Sequence, residues 1–231
     1  MKIKDMKRAA KDNLRGRWFG PFMIGLLFLL ICLPALICNM GGTFINEYIN
    51  TYLALGEIPE ELMGMDVEIL LGLMSLCSVL GILFYYLFDL HAHVGLARYF
   101  LRFGRERAGL GAFLGGFFQK YFRTMWVYFL SGVKILLYTL LFIIPGVLKA
   151  IEYSMLPFVM AEHPEMNTRE IFEETHTIMK GCKGKYLGLV ISFFFWYLLV
   201  GITGGLVYPF LLPYYEATLA EFYHYAKDKN H

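Results

Sequence analysis

The chain has 231 residues, of which 58% are apolar and only 17% charged, with a mean hydropathy of +0.52. Soluble domains run at roughly 45–50% apolar and 25% charged, so this composition excludes an ordinary soluble globular protein and leaves an integral membrane protein. The net charge of +2 says little by itself, no nucleic-acid partner is read from it, and the length leaves room for about six spans of about 20 residues each.

Residues 1–17 place Ile3, Met6, Ala10 and Leu14 at helical spacing, with Lys7, Arg8, Lys11 and Arg15 elsewhere on the surface. Such a basic amphipathic helix either lies on the anionic lipids of the inner leaflet or simply flanks the first span. Nothing from Trp18 to Asn46 is charged, which predicts span one at 18–37, followed by an acidic external loop at 41–68. "LPALICNM" lacks the small-x-small pattern of signal cleavage. Ile69 to Phe88 is again uncharged, and the helical pattern continues through "DLHAHVGLARYFLRFG", giving span two at 69–103. Span three, 124–144, holds one charge, Lys134, and is read as ending at Pro145-Gly146. Spans four (147–161) and six (210–226) are short and carry ionisable groups, so each either returns at a tilt or is re-entrant. Between them lie a cytoplasmic amphipathic helix at 168–180, capped by Asn167 with Glu170 and ended by Gly181, and span five at 186–208, broken by Gly204-Gly205. Residues 227–231 are a short tail.

Charge bias sets the orientation. Positions 1–17 hold seven Lys or Arg against two acids and positions 89–123 hold six against two, whereas 47–68 hold six acids and no base. By the positive-inside rule the basic segments are cytoplasmic and the acidic loop is outside. The expectation is an all-α polytopic membrane protein: one membrane-embedded domain at 18–226, about six transmembrane helices in three hairpins, and both termini cytoplasmic.

No hydrolase, nucleotide-binding or metalloprotease motif is present, so no catalytic residue and no cofactor are expected. "DLHAH" gathers Asp89, His91 and His93. Metal ligands on a helix prefer spacings of three or four, and the two histidines are two apart, so a polar helix exit accounts for them better than a metal. Cys32, Cys38, Cys77 and Cys182 show neither disulfide nor zinc spacing. The better lead is charge at membrane depth, which costs at least about 2.5 kcal/mol per group and so marks residues that face protein or water. Lys134 and Glu152 are expected to form a buried pair across the hairpin, while Lys149 is expected to snorkel to the outer interface. A short internal repeat, "GLARYF" (95–100) against "TLAEFY" (218–223), matches Arg98 to Glu221, which predicts that these two meet at the inner mouth. Glu216 is a further ionisable group in span six.

The runs "IIPGVLKAIEYSMLPFVMAEHPEM", "IMKGCKGKYLGLVISFFFW" and "PYYEATLAEFYHYA", with "AAKDNLRGRWFG" and "VGLARYFLRFGRE", resemble a bacterial membrane-protein family known only as domain of unknown function 975. Most of the chain outside the acidic loop shares this resemblance, which implies a multi-pass protein of the bacterial cytoplasmic membrane and supplies no ligand or catalytic residue. A weaker similarity, to membrane segments fused to some glycerophosphodiester phosphodiesterases, implies lipid-linked biology; no phosphodiesterase residues are present. Two functions fit. One is handling of a small solute or lipid along a path lined by Lys134, Glu152, Arg98 and Glu221. The other is a non-catalytic accessory role, with a membrane-protein partner bound through the aromatic "SFFFWYLL" run (192–199) or the cytoplasmic helix.

Overall fold

The computed structural model describes residues 2–55, 67–104 and 108–230, without side chains at 48, 49, 52–55, 67, 68 and 70. Among the described residues every regular element is helical. They fall into two compact units, Leu30–Asp89 and Met1–Leu29 with Leu90–His231.

Helix α1 (Ile3–Leu14) is followed by α2 (Phe19–Leu55), whose first part belongs to the larger unit. The smaller unit is the rest of α2, then α3 (Val67–Phe84), and a single π-helical turn, Tyr85–Asp89. α2 does not stop near Ile37: it continues through Pro34 and Gly41-Gly42 to Leu55, so residues 41–55 of the expected loop are helical. The cause is the absence of any charge before Glu47, which leaves the backbone no polar exit. The remainder of the acidic stretch, 56–66, lies outside the described residues.

The larger unit continues with α4 (Leu90–Phe103), α5 (Leu110–Phe117), α6 (Tyr121–Leu141), α7 (Ile143–Tyr153), α8 (Leu156–Glu162), α9 (Thr168–Met179), α10 (Lys183–Ile191), α11 (Phe194–Ile202) and α12 (Tyr208–Asn230). Pro145 does not end a helix. The break falls at Phe142, whose backbone is extended, and Pro145 sits in the first turn of α7. A proline is tolerated there because first-turn N–H groups have no intrahelical acceptor. Gly146 faces α6 so closely that a Cβ would stand 2.8 Å from Thr139 Cα. At the other hairpin, Gly204 and Gly205 take left-handed φ values of +59° and +92°, and the chain reverses into α12. α9 begins on a capping box: Asn167 Oδ1 accepts from the Arg169 and Glu170 amides at 3.0 and 3.1 Å, and Glu170 Oε2 accepts from the Asn167 amide at 2.8 Å.

Among the described residues, five helical stretches are long and apolar enough to cross a membrane: Phe19–Glu47, Leu71–Phe103, Tyr121–Leu141, Ile143–Glu162 and Lys183–Ile202. α12 is not among them, because Glu216, Glu221 and the lysine-bearing end lower its hydropathy. It is instead a central packing element, with Thr218, Phe222, Tyr223 and Ala226 fully buried. α1 packs on α12, so both ends of the chain lie in the same unit. Most of the apolar face of α1 is covered: Met6 and Ala10 are 0% exposed and Leu14 1%, while Ile3 is half-buried. Those covered side chains are unavailable to lipid.

Candidate functional site

The site forms where four helices of the larger unit meet around one carboxylate. α7 presents Lys149 and Glu152 three residues apart, on one face. Glu152 stands in the last turn of α7, where the helix dipole disfavours an anion, and it is 1% exposed; both conditions demand cations close by. Three are supplied. Lys149 Nζ donates to Oε1 at 2.7 Å, Lys183 Nζ at the start of α10 donates to Oε2 at 2.5 Å, and His176 Nδ1 on α9 lies 3.2 Å from Oε1. Lys134 on α6 comes within electrostatic reach of both Lys149 and Glu152, and its ammonium sits 3.5 Å from the centre of the Phe172 ring, a cation–π contact with α9.

Lys149 is thus tied to Glu152 while 22% of its side chain stays exposed. A full charge three residues along the same helix face outcompetes solvent for it. Glu152 is buried and paired, but through Lys149, Lys183 and His176, while Lys134 takes an aromatic face. Lys183 and His176 were not singled out from the sequence; the run "KGCKGK" beside an amphipathic helix carries the signal.

The remaining candidates are held elsewhere. Arg98 Nη1 donates to Gly115 O at 2.9 Å and to Gln119 Oε1 at 2.8 Å, which clips α4 to α5 and the turn after it. Glu221 Oε1 accepts from Asn13 Nδ2 at 2.9 Å and, with His224, Phe100 and Gly104, lines a cavity of about 180 Å³. Arg98 and Glu221 thus have different neighbours, although α4 and α12 pack together. Glu216 is 8% exposed and lies within electrostatic reach of Tyr186, Tyr197 and Tyr215. His91 stacks on Tyr121 at 3.7 Å and reaches Tyr121 O at 3.1 Å, while His93 lies edge-on to Phe28. In the smaller unit Asp89 lies within electrostatic reach of Cys32. Among the described residues no three His, Cys, Asp or Glu side chains converge as metal ligands.

A second ionic clasp closes α8 on α12. Glu162 Oε2 accepts from Tyr223 Oη at 2.6 Å and from Lys227 Nζ at 2.8 Å. Tyr223 is fully buried whereas Lys227 is about a quarter exposed, so the phenol contributes more than the ammonium. Tyr223→Phe is expected to lower stability by about 1 kcal/mol and Lys227→Gln by less, which thermal unfolding of the detergent-purified protein measures. At the other end of the unit, Lys7 Nζ donates to Ser192 O at 2.8 Å and lies over the Phe193 ring, and burial pushes its ammonium below the ordinary value.

Neither a curated protein nor a solved structure matches the chain. The family described as "Protein of unknown function (DUF975)" matches it over residues 57–230. The match begins inside the acidic stretch and leaves out the N-terminal "AAKDNLRGRWFG". It covers every residue of the Glu152 cluster and well over half of the chain, which therefore belongs to this family of proteins of unknown function.

Proposed function

We propose that the protein is a non-catalytic accessory component of the bacterial cytoplasmic membrane, built from three helical hairpins with both termini on the cytoplasmic side, and that it binds another membrane component rather than conducting a solute. One observation carries this reading. The four charged residues a transport path would need are distributed over three local networks: Lys134 and Glu152 around α7, Arg98 against α5, and Glu221 beside Asn13. A path for a polar solute needs such groups to converge on one opening. The packing of α1 on α12 supports placing both termini on one side. The partner surface is the aromatic face of α11, where Phe194 and Phe195 are 60% and 76% exposed.

Two measurements test the proposal. Proteoliposomes containing the protein are expected to show the same solute counterflow and lipid scrambling as empty vesicles. A photo-crosslinking residue at Phe195 is expected to give one reproducible protein adduct in the native membrane. Flux that disappears in a folded Glu152→Gln variant, or adducts with lipid alone, contradicts it.

A further inference from the structure

The Glu152 cluster holds more positive charge than Glu152 neutralises. Three lysines share one carboxylate, which leaves two charges in excess with His176 neutral. The excess is reachable from outside: Lys149 and Lys183 side chains are 22% and 27% exposed and His176 is 58% exposed. Each ammonium has three N–H donors, and the bond to Glu152 uses one of them.

The surroundings of the cluster differ on its two sides. On one side is α9, packed against α7, with Arg169 88% and Glu173 61% exposed; these charges require water. On the other side is the tip of the α6–α7 hairpin. The residues between Lys134 and Lys149 carry no charge, and Leu140, Ile143 and Ile144 are 82%, 74% and 73% exposed, a surface that requires lipid. Each arm beyond the lysines is about seven residues, or about 10 Å at 1.5 Å per residue, against roughly 30 Å of hydrocarbon. From a charged base at the water boundary, the arms of such a hairpin reach about one leaflet deep.

We propose that Lys134, Lys149, Lys183 and His176 form a binding site for the phosphate of an anionic phospholipid, whose acyl chains run along the apolar arms of the α6–α7 hairpin. The charge complementarity fixes the headgroup as anionic. The adjoining exposed aliphatic tip selects a lipid over a soluble phosphate, because a free anion gains nothing from that surface. The inference rests on the chain being membrane-embedded and is independent of the accessory role.

The test is native mass spectrometry of the full-length, detergent-purified protein titrated with phosphatidylglycerol or phosphatidylcholine. The wild type is expected to prefer phosphatidylglycerol at least about tenfold, since each basic residue near an anionic surface contributes about five-fold. Lys134→Gln leaves the hydrogen bonds to Glu152 in place and is expected to cut phosphatidylglycerol affinity about five-fold, with phosphatidylcholine unchanged. Arg102→Gln, on the exposed face of α4, is expected to change neither. Three results overturn the proposal: equal binding of the two lipids by the wild type, equal losses in Lys134→Gln and Arg102→Gln, or displacement of phosphatidylglycerol by millimolar inorganic phosphate, which identifies a soluble anion as the ligand. If Lys134→Gln fails to fold, the wild-type comparison and the phosphate competition still decide the question.

Discussion

Glu152→Ala is expected to destabilise the protein by about 2–4 kcal/mol, the largest effect of any single charge deletion. The loss comes mostly from what stays behind. Lys149 and Lys183 are bonded to a carboxylate that is 1% exposed, and without it the two ammonium groups repel each other and His176 loses its partner in a partly desolvated corner. The figure lies at the lower end for a broken buried pair because the two ammonium groups keep about a quarter of their surface in solvent. Glu152→Gln is expected to recover part of the loss, since an amide oxygen still accepts one hydrogen bond. Chemical denaturation in mild detergent, followed by tryptophan fluorescence, measures both variants. A change below about 0.5 kcal/mol for Glu152→Ala means that the cluster is a surface feature of no consequence to the fold.

The second large effect is steric. α4 and α5 approach closely because two glycines face each other: a Cβ on Gly95 would stand 2.6 Å from Phe113 O, and one on Gly116 would stand 2.8 Å from Gly95 Cα. Backbone cannot rotate out of the way as a side-chain tip can. Gly95→Val must therefore push α5 off α4, exposing Phe113 and Ala112 and breaking the bond from Arg98 to Gly115 O. The expected cost is about 3 kcal/mol or more, read as loss of the folded fraction on size-exclusion chromatography. Wild-type elution and melting for Gly95→Val contradict this close approach.

Local features of the sequence were readable, and distant ones were not. The box Asn167–Glu170 lies within four residues, so α9 could be read from the chain, and its apolar face, Ile171, Phe172, Thr175, Ile178 and Met179, followed from periodicity. Periodicity also picked out the apolar face of α1, but a pattern cannot say what covers it, and here α12 competes successfully with lipid. Proline misled at 145, because the same residue ends one helix or opens the next depending on where the preceding chain becomes extended, and Phe142 decides that. At the site, the bond between Lys149 and Glu152 spans three residues and the pairing with Lys183 spans 31. Only the first can be argued from spacing. The second depends on α9 folding back so that its end delivers α10 to Glu152, a tertiary fact with no local signature. Arg98 and Glu221 have separate partners for a related reason: carbonyl and amide oxygens on α5 and its following turn, close in sequence, take the Arg98 Nη1 donor.

The central claim is that Glu152 is a structural clasp between α7 and α10. A double-mutant cycle on Glu152→Gln and Lys183→Gln tests it most directly, with unfolding free energy as the readout. The account predicts a coupling of about 1–2 kcal/mol, the double variant being less destabilised than the sum of the two single variants. Strict additivity of the two substitutions contradicts it.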